Sequence, residues 1–459
     1  MTHAPSSPPR PPAAPAPVPP RRTAWAENAG RLRRAATTEP GRLRIIGAAL
    51  AALVLAFGAQ AAWQVSDRAG AADAVIDSSQ PLSADAASVY RSLADADTTA
   101  AAAFLAGGDE PPELRERYER DIRTASRLLA KAAADNGGSA RSHEEIAELN
   151  EQLPVYTGLV ETARANNRQG LPLGGAYLRH ASERMREEML PAAEALYRSE
   201  TARLRADYED ARAWPVPALL TGTAALAALG WAQRRHYLRT NRVFSPGLLA
   251  ATAATAAGLL WLAAGHGIAR SCLGDSDRHG ARSLQALNEA WAGVLQARGD
   301  ESLTLVARGG GALYEESYRR GMREVLGDGG SRGGAGGQLG RALALADDEA
   351  GRGPVEEAVR SAAHWRERHA AARALENSGR YDDAVALVIQ PGGNTVRGAF
   401  DAVDAALSEA VRHEQREFER AAEGGRGVLG GLPAGVGALA VLGAAGVVLG
   451  VGRRLAEYR

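Results

Sequence analysis

Four long apolar stretches divide the chain. Residues 45–63 read IIGAALAALVLAFGAQAAW and carry no charge. Residues 214–231 read WPVPALLTGTAALAALGW, residues 247–268 are interrupted only by His266, and residues 428–451 are rich in Gly and Ala. Each is long enough, or nearly so, for a spanning helix of about 20 residues. Trp63, Trp214 and Trp231 stand at run ends, where interfacial aromatics belong.

Between these runs the pattern changes to amphipathic helices. In segment 64–213, Leu82, Ala86, Val89, Leu93, Ala96, Ala100 and Phe104 form a stripe of helical period. Gly107-Gly108 and Pro111-Pro112 end that helix. A second begins near Glu113 with Leu114, Tyr118, Ile122, Ala125 and Leu129 inward. Its outer side offers Glu113–Arg117, Glu116–Arg120 and Glu119–Arg123 at i,i+4. After a turn at Asn136-Gly137-Gly138, a third helix carries Ile146, Leu149, Leu153, Tyr156, Val160 and Ala163, with a kink expected at Pro154. Asn166, Asn167, Arg168 and Gly170 finish it, and Pro172 blocks its continuation. A fourth helix carries Leu178, Ala181, Met185, Met189, Ala192 and Leu196 and heads for Trp214. At about 40 residues and ~1.5 Å each, it would span some 60 Å. Four helices between two spans close an up-down bundle.

Segment 269–427 repeats the plan. LADADTTAAAAFLAGG, ending at Gly108, parallels LQARGDESLTLVARGG, ending at Gly310, and each is followed by a helix with an early tyrosine, Tyr118 or Tyr318. Breaks at Gly379 and at 390–394 precede a helix striped by Val396, Phe400, Val403, Leu407, Val411 and Phe418.

Arginines orient the spans. Arg31, Arg33, Arg34, Arg42 and Arg44 precede the first run. Arg234, Arg235, Arg239 and Arg242 fill the loop between the second and third, and Arg453, Arg454 and Arg459 follow the fourth. The positive-inside rule places all three clusters in the cytoplasm. The expected organisation is a Pro/Arg-rich disordered cytoplasmic tail (1–44), spans at 45–63, 214–231, 247–268 and 428–451, extracytoplasmic helical bundles at 64–213 and 269–427, a cytoplasmic loop at 232–246 and a short tail at 452–459. The fold class is all-α, a multi-pass plasma-membrane protein with both termini cytoplasmic. Ala59-Gln60-Ala61 resembles a signal-peptidase site, but 44 preceding residues are long for a signal peptide, and the run is read as an uncleaved anchor.

Composition narrows the chemistry. Among 459 residues, 54 basic and 54 acidic side chains cancel, which gives no nucleic-acid footprint. Lys131 is the only lysine, which excludes a Walker A loop and lysine-dependent kinase chemistry. Cys272 stands alone, so there is no intramolecular disulfide and no cysteine-cluster metal site. Gly329-Gly330-Ser331-Arg332-Gly333 spells G-x-S-x-G, but in a glycine-rich linker rather than a strand-to-helix turn. His180 with Glu183 reads as solvated helix polarity, and His364 and His369 share a face poorly. No enzyme activity, cofactor or metal is expected. The candidate binding residues are Arg164, Asn166, Asn167 and Arg168 at the tip of the first segment, where the arginines offer forked donors to a carboxylate or acidic partner. A plain polar helix end is the competing reading. Arg234, Arg235, Arg239 and Arg242 are the candidate surface for a cytoplasmic partner.

The layout resembles the four-helix-bundle extracytoplasmic sensor domains of bacterial chemoreceptors and sensor kinases. YTGLVETARANNRQGLPLGGAYLRHAS, ALENSGRYDDAV and the four-span order are similar to actinobacterial membrane proteins of the GlnX type, over about 45–459, and the Ala, Gly and Arg richness agrees with high-GC coding. No HAMP-like linker, kinase or methyl-accepting domain follows. The resemblance implies a non-enzymatic relay of amino-acid availability from an extracytoplasmic solute-binding protein to a cytoplasmic Ser/Thr kinase. A homodimer is left open. The alternative is an envelope assembly protein whose bundles mediate association.

Overall fold

The computed structural model describes residues 39–108, 110–134, 139–240, 245–328 and 336–456. The Pro-rich tail, the turn at Asn136, the G-x-S-x-G stretch and Arg242 lie outside these residues. The structure is 91% helical, with no strand among the described residues, and four helices are long and apolar enough to cross a membrane. The helices are α1 (Glu39–Ala74), α2 (Gln80–Leu105), α3 (Pro112–Ala134), α4 (Ala140–Arg168), α5 (Leu173–Arg184), α6 (Leu190–Arg212), α7 (Val216–Thr240), α8 (Pro246–Asp275), α9 (Arg282–Val306), α10 (Ala312–Leu326), α11 (Gly337–Leu345), α12 (Glu349–Asn377), α13 (Tyr381–Ile389) and α14 (Val396–Ala456). Single π turns, Val75–Ser79, Met185–Met189 and Ser276–Ala281, join α1 to α2, α5 to α6 and α8 to α9.

The chain divides into two compact units. One holds the described residues up to Ala59, together with Ala218–Leu259 and the chain from Gly437. Its interior is built from Leu50, Val54, Leu229, Leu248, Ala251, Ala444 and Val447. Small residues let α8 and α14 touch backbone to backbone. A Cβ at Gly247 would collide with the Gly446 carbonyl and lie 2.6 Å from the Gly450 nitrogen. Such contact is the means by which helices associate where lipid removes the hydrophobic drive. Leu220, Val441, Leu442 and Leu449 face outward, as lipid-facing positions would.

The other unit comprises Gln60–Pro217 and Leu260–Val436, and so contains both polar segments. The striped residues are its core. Leu93, Leu129, Leu149, Leu178, Met185 and Met189 are fully buried, each worth roughly 1.5–3 kcal/mol. The two segments share local features. α2 ends at Leu105 and α9 at Val306, and each is closed by a glycine in the left-handed region, Gly107 (φ 76°) and Gly309 (φ 88°). Tyr118 and Tyr318 are both buried. The long helices α4 and α12 open on side-chain caps: Ser139 Oγ accepts from Ser142 N, and Asp348 Oδ1 from Gly351 N.

α4 continues through Pro154 as one helix. One expectation needs correction. Arg117 does not pair with Glu113 on an exposed face. It reaches Asp95 at 2.7 Å and, across to the second segment, Asp404 at 3.1 Å. The cause is that α2 and α9 pack on each other, merging the two segments into one core. Residues 96–103 of α2 and 297–306 of α9 are therefore buried on every side.

Candidate functional site

The tip of the first segment is built around the Asn pair. Asn167 donates to the carbonyls of Phe104 at 2.9 Å and Gly107 at 3.4 Å, tying the end of α4 to the end of α2. Asn166 donates to Thr162 O at 2.8 Å, and its own carbonyl accepts from Leu171 N. Gly174 is needed where α5 crosses α4, because a Cβ there would lie 2.9 Å from Ala163 O. Arg164 is buried over the Tyr118 ring (4.3 Å), donates to Glu161 at 2.7 Å and is ion-paired with Glu110 at 3.0 Å. Its guanidinium is thus turned into the protein, with Nε and Nη2 buried without a hydrogen-bond partner. Arg168 is exposed and has no partner among the described residues, and Leu171 and Leu173 are exposed beside it.

Deeper in each segment lies a buried acid. Asp97 on α2 accepts from Tyr156 Oη at 3.2 Å and Ser182 Oγ at 2.8 Å. Burial pushes its pKa up, against the Ser182 bond and the Arg186 charge. Glu301 on α9 accepts from Trp365 Nε1 at 3.1 Å, contacts His369 Nδ1 at 2.8 Å and is bonded by Arg298. Burial pushes Glu301 up too, but Arg298 and His369 outweigh it, and its pKa falls below the ordinary value. His369 stacks on Tyr318 at 3.7 Å and reaches Glu315 with Nε2 at 3.0 Å. Burial lowers His369, but the two carboxylates more than reverse that, so an imidazolium donating to both fits the site. Glu315, with burial again outweighed by His369, Arg373 and Arg319, sits at about 2.

A third feature joins the segments. A cleft of about 420 Å³ is walled by α2 and α6 from the first segment and by α9 and α14 from the second. Within the first segment Ser83 meets Thr201 at 3.0 Å. Across the seam, Gln80 donates to Gln415 at 2.7 Å and Tyr208 Oη meets Ser276 Oγ at 2.6 Å in the π turn. Asp277 in the same turn holds Arg212 at 2.9 Å and Arg282 at 3.1 Å. Arg91 stacks over Trp291 at 4.7 Å and donates to Asn288, and burial lowers its pKa to about 10. Arg412 and Arg416 line the cleft on an exposed face with no partner among the described residues. Free guanidinium donors beside the carboxylates of Asp277 and Glu419 suit a small solute carrying both charges.

These residues lie far apart in sequence, and only the i,i+4 spacing of Arg412 and Arg416 hinted at them. The same holds for Asp348, His413 and Glu417, whose donor atoms lie within 4.8 Å of one another. His180 and Glu183 form an exposed contact at 3.7 Å. His364 and His369 diverge, the first toward Gly393 O and the second into the core. In the arginine loop, Arg234 is exposed and Arg235 lies over the Trp231 ring at 5.3 Å. Arg239 falls in α7.

Residues 71–209 match the family model of the actinobacterial sensor domain. The match covers the end of α1 and runs into α6, and so includes two of the four cleft walls. No curated protein and no solved structure matches the chain. The chain thus carries an actinobacterial sensor domain within a largely helical protein with four long apolar helices, which suggests a sensing role and a multi-pass membrane protein.

Proposed function

We propose that the chain is a non-enzymatic membrane relay of the GlnX type. In this reading both polar segments are extracytoplasmic, and both termini and the arginine loop are cytoplasmic. A small zwitterionic solute of the amino-acid class enters the cleft, directly or handed over by a solute-binding protein at the Arg168 tip. The observation that supports the reading best is the sensor-domain match on a segment that supplies two walls of a charged cleft. A solute that binds one packing of α2 and α6 against α9 and α14 better than another shifts the balance between them, and only that differential affinity can carry a signal. The π turns beside the cleft are natural places for a register change, since an extra residue per turn is easily gained or lost there. Output then passes to a Ser/Thr kinase recruited at Arg234 and Arg235.

Co-purification of the full chain from its native membranes tests the relay. A cytosolic Ser/Thr kinase should accompany the wild type and be lost with Arg234→Glu and Arg235→Glu together. Recovery of wall and membrane proteins alone would overturn the relay in favour of an envelope scaffold. Alkaline phosphatase fused at Gly138 or Gly337 should be active, and inactive fusions would refute the orientation.

A further inference from the structure

We propose that Asp348, His413 and Glu417 form a binding site for a divalent transition-metal cation of the zinc type, which fastens the start of α12 to α14. His413 and Glu417 are one helical turn apart on α14 and so share a face. Asp348 is the residue that caps α12. His413 Nε2 lies 3.1 Å from Asp348 Oδ1 and 3.7 Å from Glu417 Oε1. Two ligands of one tetrahedral zinc, each about 2.1 Å from the ion, stand roughly 3.4 Å apart. The observed spacings bracket that value.

An ion pair with a helix cap would explain His413 and one Asp348 oxygen, but it leaves buried carboxylate oxygens without partners. Glu417 Oε2 is buried without a hydrogen-bond partner. So is Oε2 of Glu414, a residue only 2% exposed. The other oxygen of Glu414 lies near the trio. Where a Cβ on Gly351 would sit, Glu414 Oε1 and Asp348 Oδ1 are each 3.1 Å away and His413 Cδ2 is 3.2 Å away. The neighbouring cations are weak compensation. Arg420 reaches Glu417 only at 3.8 Å and is itself 70% exposed, and His279 is taken by Asp347 at 3.2 Å. A carboxylate that sits beside an imidazole and keeps one buried oxygen without a partner, as Glu417 does, is what a divalent cation satisfies. The donor set selects the metal class. Imidazole nitrogen favours zinc and its neighbours over magnesium or calcium, and the lack of thiolate disfavours copper(I). The proposal is independent of the solute cleft and of signalling.

Isothermal titration of zinc chloride into the metal-stripped full chain in nanodiscs is the test. The expected result is one saturable site and a higher melting temperature with zinc than with chelator. His413→Ala and Glu417→Gln should each weaken that binding by at least about tenfold. Asp348→Asn preserves the helix cap and should weaken it comparably, which covers the case in which His413→Ala fails to fold. His180→Ala, at an exposed His–Glu contact elsewhere, should change nothing. Absence of saturable zinc binding to the wild type would overturn the proposal. So would equal affinity in wild type and Asp348→Asn.

Discussion

The two polar segments bury an acid in the same part of the same helical plan and satisfy it by different chemistry. In the first, Asp97 receives two hydroxyls and its pKa is raised. In the second, Glu301 receives an indole, an imidazole and a guanidinium and its pKa is lowered. The aromatic beneath each site follows suit: Arg164 lies over Tyr118 at the rim, while His369 stacks on Tyr318 inside an ion cluster. Hydroxyl donors offset less of the cost of burying a charge, so the pKa of the acid there rises. Cations offset more, provided every member stays in place. One segment should therefore tolerate loss of its charge, and the other should not.

The largest effect should come from Glu301→Gln, which leaves the buried Arg298 without a counter-charge. A loss of about 3–5 kcal/mol is expected in chemical denaturation, and a loss under 1 kcal/mol would erase the distinction. Next is His369→Gln, expected to cost roughly 2 kcal/mol with a characteristic pH dependence. His369 is raised above 6.5, so its stabilisation is full below that pH and fades as pH rises through the folded value. Glu315 is lowered from 4.5 to about 2, so its contribution is present above pH 4.5 and lost toward pH 2. Melting curves of wild type and variant should differ most between pH 4.5 and 6.5. A pH-independent gap would show that His369 packs as a neutral ring.

Arg164→Ala should then cost about 1–2 kcal/mol through its lost carboxylates and ring contact, whereas Arg168→Ala should stay within about 0.5 kcal/mol. Equal costs would mean that the Tyr118 stack does not hold the tip. Tyr156→Phe removes one donor from Asp97 and should cost about 1 kcal/mol. The smallest effect is expected of Asp97→Asn. Because the folded pKa of Asp97 is raised from 3.8, its stabilisation is present below that pH and lost as pH rises through the folded value. The Asn variant should gain on the wild type between pH 4 and pH 7. If it falls behind instead, Asp97 is ionised and the contrast with Glu301 fails.

Much of this molecule was decided by periodicity that any sequence carries openly. The four apolar runs, the inward stripes, the paired-glycine stops and the repeated tyrosines depend on neighbours three to seven residues apart. These are interactions within one helix and its ends, and the observed helices follow them closely. At the tip, Asn166 and Asn167 were visible as oddities at the end of a stripe, and the structure gives them carbonyls to bind.

What no local pattern contained was the second face of α2 and α9. Asp97, Thr98, Arg298, Asp300 and Glu301 are polar, and polarity at helical spacing ordinarily marks the wet side. They are buried because the two segments pack together and each supplies partners from more than 50 residues away, as Ser182 does for Asp97 and Trp365 for Glu301. The diversion of Arg117 to Asp404 and the cleft have the same origin. A charge is stable in a protein interior only if distant groups converge on it, and that convergence belongs to the tertiary structure.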